Sequence, residues 1–197
     1  MMTTELLSVE DYLQLEEETG ERHEYVGGEV RMMAGTELEH EMIVNNLIRL
    51  LTLCLREKGC TLVTGQMKLY TPHCGKAFLY PDIHIYCGKI KKEKMPQGSY
   101  ALVNPSFIIE VLSQDRRNYD RGDKPACRTG RFDCYRQISS LQSYVLIESK
   151  LETHEPAVYV RTWEGNRQFQ ERKLELTDTL DVLGCSVSCQ EIYNFSA

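Results

Sequence analysis

The sequence predicts an α/β protein, a mixed β-sheet flanked by helices. Three observations carry this reading. Between Glu37 and Lys58, the apolar residues Ile43, Leu47, Leu50, Leu51, Cys54 and Leu55 recur at steps of three and four, the period of an amphipathic helix. Residues 106–113, SFIIEVLS, form a short apolar run rich in β-branched side chains, which suits a buried central strand. Helical and strand-like stretches alternate along the chain, with no repeat and no linker long enough to divide it. At 197 residues and 42% hydrophobic content, one domain spanning 1–197 is expected, with enough apolar surface for a core.

The elements follow in order. Ser8 precedes Val9, Glu10 and Asp11, a helix N-cap with acids in the first turn where the helix dipole favours them. That helix carries Tyr12, Leu13 and Leu15 and should end near Gly20. Two short strands, HEYV and EVRMM, flank Gly27-Gly28, where both turn residues can take positive φ and close a tight hairpin. The long helix ends at Gly59. Thr61–Tyr70 and Tyr80–Cys87 read as strands, and the Lys-rich, Pro- and Gly-containing residues 88–100 as an exposed loop. After the central strand, residues 131–138 look helical and Ser143–Ile147 looks extended. An antiparallel pair is expected at 157–163 and 167–176 around Gly165-Asn166, then a short closing helix at 189–195.

Composition excludes several classes. No apolar run approaches the ~18 residues a membrane span needs. The acidic start MMTTELLSVEDYLQLEEE has neither the basic flank nor the apolar stretch of a signal peptide, so the expected location is the cytoplasm. The formal net charge of -6 argues against a bulk polyanion binder. The charge is unevenly placed, however. Residues 1–29 hold nine acids against Arg22, whereas residues 116–136 hold seven bases against Asp120, Asp123 and Asp133. Lys89, Lys91, Lys92 and Lys94 add a second basic stretch, so a local basic face on an acidic protein is possible, although either stretch alone reads as solvated surface. The eight cysteines, at 54, 60, 74, 87, 127, 134, 185 and 189, contain no zinc-knuckle or redox pair; reduced thiols are expected, several of them buried. No dinucleotide fingerprint, phosphate loop or GxSxG elbow occurs.

Three acids stand where acids are costly. Asp82 follows Pro81 in YPDIHIY, Glu110 sits in the middle of FIIEVLS, and Glu24 lies in RHEYV. A carboxylate in an apolar strand must be paired, protonated or bound to a cation. Each alone reads as a salt-bridged acid; three together point to a divalent-metal site, because hard cations take one or two carboxylates and keep several waters. Glu110 shares a face with Ile108 and Leu112, and Asp82 with His84, so neighbouring strands would let Asp82 and Glu110 converge on one ion. His84 by itself reads as a hydrogen-bonded histidine. So does His40, although its place near the start of the long helix would let it face the site.

These residues also carry a resemblance. YPD, then PSFIIEVLS, YDRG and FDCYRQISSLQSYVLI, with RHEYVGGEV upstream and a histidine early in the following helix, make the chain resemble the Uma-type restriction endonuclease family of the PD-(D/E)XK nuclease superfamily. The resemblance covers roughly residues 8–195. It implies a restriction-endonuclease-like core with extra antiparallel strands, and metal-dependent hydrolysis of DNA phosphodiester bonds. Asp82 and Glu110 would hold Mg2+ or Mn2+, and Glu24 would be an accessory ligand or orient a water. A homodimer is plausible, since cutting both strands of a duplex commonly takes two copies of a site.

The chain departs from the family pattern at its cation. The superfamily lysine falls two residues after the second acid, and that position here is Leu112. The role then passes to a pattern like YDRGxKFxxYR, which is split in this sequence. Lys124 fits by distance from YDRG, with Phe132 and Tyr135 in register only if residues 125–131 are an insertion; counting back from Phe132 puts Arg131 in the lysine slot instead. Lys124 has the better-matched anchor and the chemistry of a proton shuttle, although Pro125 disfavours a helix through it; Arg131 could stabilise charge but not move protons. The alternative to a nuclease is a degraded member of the fold that binds nucleic acid or protein.

Overall fold

The structure is a computed structural model that describes residues 6–33, 35, 37–112, 130–149, 156–163 and 168–195. Helix α1 (Val9–Thr19) opens on Ser8, whose hydroxyl accepts the Asp11 N–H at 3.1 Å, and closes on Gly20 at φ +67°. Strands β1 (His23–Val26) and β2 (Glu29–Met32) pair across Gly27 and Gly28, both at positive φ. Helix α2 (Leu38–Glu57) is the long amphipathic helix.

Six short strands follow: β3 (Cys60–Thr64), β4 (Leu69–Thr71), β5 (Ala77–Leu79), β6 (Ile83–Cys87), β7 (Lys92–Lys94) and β8 (Tyr100–Leu102). The central strand β9 (Phe107–Leu112), helix α3 (Arg131–Tyr135) and strand β10 (Ser143–Glu148) come next. The chain closes with β11 (Val158–Trp163), β12 (Phe169–Leu174), the hairpin β13 (Thr179–Val182) and β14 (Cys185–Ser188), and helix α4 (Cys189–Ile192). The sequence reading of 88–100 as a loop is corrected: β7 and β8 lie there and at its end, and β7 is a fully exposed Lys-Glu-Lys edge with no apolar alternation to reveal it. The β13–β14 hairpin and β5 were likewise not anticipated.

The strands form two six-stranded sheets. One runs β2-β1-β5-β4-β8-β7 and the other β12-β11-β10-β9-β6-β3. The second is mixed, with β9 and β10 parallel and its other neighbours antiparallel. One face of this sheet (Ile83, Ile85, Ile109, Val111, Val145, Ile147) packs on Ile43, Leu47, Leu51 and Leu55 of α2. The opposite face (Ile108, Leu112, Tyr144, Leu146) packs on Leu69 and Leu79 of the first sheet and on Phe132 and Tyr135 of α3. Leu112 is therefore a core residue. Helix α1 covers the first sheet through Tyr12 and Leu13 against Tyr25 and Phe78. No helix of the described residues is long and apolar enough to cross a membrane.

The expectation of reduced thiols is corrected. Six cysteines pair as Cys54–Cys185, Cys60–Cys87 and Cys74–Cys134, and Cys189 is free and buried. Cys127 lies outside the described residues. Pairing depends on which Cβ atoms the fold brings face to face, and spacing along the chain does not encode it.

Leu51 is fully buried between α2 and the sheet. Leu51→Ala should lower unfolding stability by about 2–5 kcal/mol, from lost transfer energy and the cavity left behind. A urea midpoint equal to that of the wild type would contradict this packing.

Candidate active site

The acids converge because of strand register. Ile83 of β6 stands opposite Ile109 of β9 in an antiparallel pair. One step outward, Asp82 and Glu110 meet, and the Asp82 N–H points at Glu110 Oε2 at 3.4 Å. Glu24 arrives from β1, which pairs with β5 at Tyr25 and Phe78; the Tyr80 N–H, just past β5, donates to Glu24 Oε1 at 3.3 Å.

Arg131, on the first residue of α3, lies between these carboxylates and is 2% exposed. Its Nε donates to Glu24 Oε2 at 3.1 Å, and its Nη2 makes an ion pair with Glu24 Oε1 at 2.6 Å. Its Nη1 donates to Glu110 Oε2 at 2.7 Å. Tyr135, one helical turn on from Arg131 and on the same face, donates its hydroxyl to Glu110 Oε1 at 2.6 Å. Burial and the neighbouring Glu110 charge raise the Tyr135 pKa well above the usual phenol value, so it remains a donor.

Asp82 is the most accessible of the three acids, with its side chain 17% exposed against 3% for Glu24 and 0% for Glu110. Its Oδ2 accepts the Val111 N–H at 2.8 Å and lies 3.2 Å from His40 Nε2, on the first turn of α2. Burial acts to raise the Asp82 pKa. The hydrogen bond and charge of His40, the Arg131 charge and the Val111 amide outweigh it and hold the carboxyl below the ordinary Asp range. A groove of about 300 Å3, lined by Arg22, His40, Asn45, Gln66 and Asp82 among others, opens onto this carboxylate.

The structure thus brings together Glu24, Asp82, Glu110 and Arg131, four of the five residues singled out from sequence. Lys124 lies outside the described residues. Arg131 occupies the slot reached by counting back from Phe132, and it shares a short helix with Phe132 and Tyr135. His40 joins the group. Tyr135 enters the sequence reading only through its motif; its i, i+4 spacing from Arg131 is the signal that pairs them.

His84 does not join. It is 0% exposed, with Nδ1 2.8 Å from the Tyr86 hydroxyl and Nε2 3.2 Å from the Thr64 carbonyl. Burial, partly opposed by that carbonyl, lowers its pKa from 6.5 to about 4.

Among the described residues no three His, Cys, Asp or Glu side chains are gathered as metal ligands. The donor set is smaller but chemically apt. Three carboxylates around one guanidinium leave a formal excess of two negative charges, before counting His40. Asp82 and Glu110 supply adjacent hard oxygens, and Mg2+ needs only one or two carboxylates with waters completing its shell. Asp82 Oδ1 receives no hydrogen bond from the described residues.

The family model Uma2, described as "Putative restriction endonuclease", matches residues 9–188. The chain belongs to this family. It is similar to two uncharacterized proteins of Synechocystis sp. One is 33% identical over 146 residues, 74% of this chain and 77% of the relative; the other is 30% identical over 143 residues, 73% and 69%. Its fold is similar to a crystal structure described as a putative nuclease belonging to DUF820 from Anabaena variabilis. That likeness has a TM-score of 0.69 at 17% identity and covers 95% of this chain and 97% of the other. The Uma2 chain therefore has the mixed α/β architecture expected of it.

Two predictions follow from the site geometry. Arg131→Ala leaves Glu24 and Glu110 buried without their cation and should cost about 3–5 kcal/mol, whereas Arg131→Lys, which keeps the charge, should cost distinctly less. Equal denaturation midpoints for the two variants would contradict the ion-pair geometry. For His84, the folded pKa lies below the unfolded value, so its contribution is complete above pH 6.5 and is lost as pH falls toward 4. That loss amounts to about 3 kcal/mol. In His84→Gln this component of the acid slope should vanish, which urea titrations at pH 7 and pH 4.5 would measure.

Proposed function

We propose that this Uma2 protein is a divalent-metal-dependent endonuclease that hydrolyses DNA phosphodiester bonds. Membership in a family described as restriction endonucleases supports a nuclease-like function. The observation that carries the finer reading is the placement of Arg131 against Glu24 and Glu110, with Asp82 at the mouth of the groove. Four separate stretches of chain supply one cation and three acids at one point, as a phosphoryl-transfer site requires.

Asp82 and Glu110 would hold Mg2+ or Mn2+. When bound, such an ion polarises the scissile phosphate and activates a water. Arg131 supplies fixed positive charge near the phosphoryl oxygens but, being permanently protonated, moves no proton. Glu24 orients the guanidinium through the Nε hydrogen bond and the Nη2 ion pair, and Tyr135 holds Glu110 in place. His40, whose Nε2 lies 3.2 Å from Asp82 Oδ2, holds that carboxylate at the mouth of the groove. DNA is the substrate, and a homodimer would present two such sites to the two strands. A cytoplasmic location, proposed from the sequence, has to accommodate three disulfides, which are rare in reducing compartments.

A second reading, a non-catalytic nucleic-acid or protein binding module, is favoured by one observation. Both oxygens of Glu110 already have protein partners, so Arg131 itself serves as the resident cation.

One experiment separates the readings: plasmid and oligonucleotide DNA incubated with Mg2+, Mn2+ or chelator, alongside thermal melts. The nuclease reading expects metal-dependent cleavage, retained in part by Arg131→Lys and lost by about 10²–10³-fold in Arg131→Gln. It also expects millimolar metal to raise the melting temperature of the wild type and not of Asp82→Asn, because a ligand that binds only the folded state stabilises it. No cleavage and no metal-induced shift would leave the binding-module reading.

A further inference from the structure

We propose that the Cys74–Cys134 disulfide is a positioning crosslink that holds Arg131 and Tyr135 on the acids, so that the activity of the site depends on its oxidation. The inference rests on the nuclease reading for its activity readout but not for its structural one.

Helix α3 cannot hold itself. It spans five residues, Arg131–Tyr135, and its N-cap Gly130 makes no side-chain capping bond. Isolated helices shorter than about 12–15 residues are marginal in water even with favourable sequences. Its place is set by what its side chains reach. Arg131 and Tyr135 reach the carboxylates, Phe132 enters the apolar cluster, and Cys134 is bonded to Cys74. Three of these four contacts are non-covalent, and two of them are the site contacts themselves.

The other end of the crosslink is equally specific. Cys74 sits in the turn between β4 and β5, accepting the Ala77 N–H at 3.1 Å and donating its own N–H to Thr71 at 3.2 Å. Strand β5 pairs with β1 at Tyr25, next to Glu24. A closed circuit therefore runs from Glu24 through β1 and β5 to Cys74, across the disulfide to Cys134, and back through Arg131 to Glu24. The bond ties the helix carrying the cation to the sheet carrying one of its acids. The other two disulfides have no such place. Cys60–Cys87 joins β3 to the end of β6 remote from Asp82, and Cys54–Cys185 joins the last turns of α2, remote from His40, to β14.

Opening the crosslink takes a dithiol reductant. A thiolate of the reductant attacks one sulfur and the Cys74–Cys134 bond breaks. The departing cysteine thiolate takes up a proton, and the second thiol resolves the mixed disulfide. The balance is two cysteine thiols gained and one disulfide formed in the reductant, a two-electron, two-proton exchange. Both sulfurs are buried, with Cys74 2% and Cys134 0% exposed, so attack requires α3 to open first. After reduction nothing covalent restores the helix, and the guanidinium spends less time between Glu24 and Glu110.

The test uses the full chain. Non-reducing peptide mapping of the oxidised protein should recover the Cys74–Cys134 linkage. In Cys134→Ala, and in wild type treated with a dithiol, amide hydrogen exchange should speed at least tenfold over residues 131–136, while α2 and β9 remain protected. DNA cleavage should fall at least tenfold in kcat with KM little changed, and dithiol should have no further effect on Cys134→Ala. The control Cys60→Ala/Cys87→Ala should cleave at the wild-type rate. Free thiols at Cys74 and Cys134 in the oxidised protein would overturn the proposal, as would unchanged exchange over 131–136 in Cys134→Ala. So would accelerated exchange without loss of kcat in a protein that cleaves. If the oxidised wild type cleaves nothing, the nuclease reading fails by itself, and exchange over 131–136 still decides whether the crosslink positions the helix.

Discussion

One guanidinium held between two buried carboxylates is the constraint on which the remaining structure depends. Arg131 brings a full positive charge into a place that is 2% exposed, where an unpaired charge would be prohibitive. Its tolerance there requires Glu24 from the first sheet and Glu110 from the centre of the second to face the same point. That requirement explains why two sheets must pack with β1 and β9 within reach of one helix, and why Tyr80 and Tyr135 spend a backbone amide and a hydroxyl on these acids. Such buried networks contribute little net stability, because desolvation offsets attraction, but breaking one partner is costly. The arrangement favours a single geometry more than it favours folding as such.

Asp82 stands apart from this closed network. It lines the groove, and among the described residues its side chain is tied by the Val111 amide and His40 at Oδ2. The site is consequently graded: a rigid, dry interior of Glu24, Arg131, Glu110 and Tyr135, and an outer carboxylate with one side toward solvent. Chemistry that needs a fixed charge and an exchangeable ligand side by side is well served by that division.

Much of this was legible in the sequence, and for physical reasons. Glu24, Asp82 and Glu110 were conspicuous because a charge in an apolar strand demands an explanation. The helix at 37–58 and the strand at 106–113 were conspicuous because burial imposes a period or a continuous run. The rest was hidden where those signals fail. Arg131 was one of seven bases across residues 116–136, and the better-matched anchor pointed to Lys124, which lies outside the described residues. Strand β7 buries nothing, so no pattern marks it. Strand β5 is three residues long, too short to show alternation. The hairpin of β13 and β14 does alternate, with Leu180, Val182, Cys185 and Val187 buried around Gly184, but each strand has only four residues. The disulfides join cysteines 27, 60 and 131 positions apart, and only the folded arrangement relates them.

The parallel pairing of β9 with β10 has a consequence for how this site can vary. Parallel neighbours require a crossover of a dozen or more residues, and Arg131 is carried on that crossover, 21 positions beyond Glu110. A cation placed on the strand itself, at Leu112, would be fixed by the pleat, and no residue could be added without turning it to the other face. A cation on the crossover is bound by no such rule. Its distance along the chain enters only through the entropy of closing a loop, which grows by about 0.6 kcal/mol for each doubling of length. A residue added to such a crossover is thus nearly free, provided the helix still docks. The spacing between the second acid and its cation is the part of this motif that can lengthen or shorten while the geometry at the carboxylates stays the same.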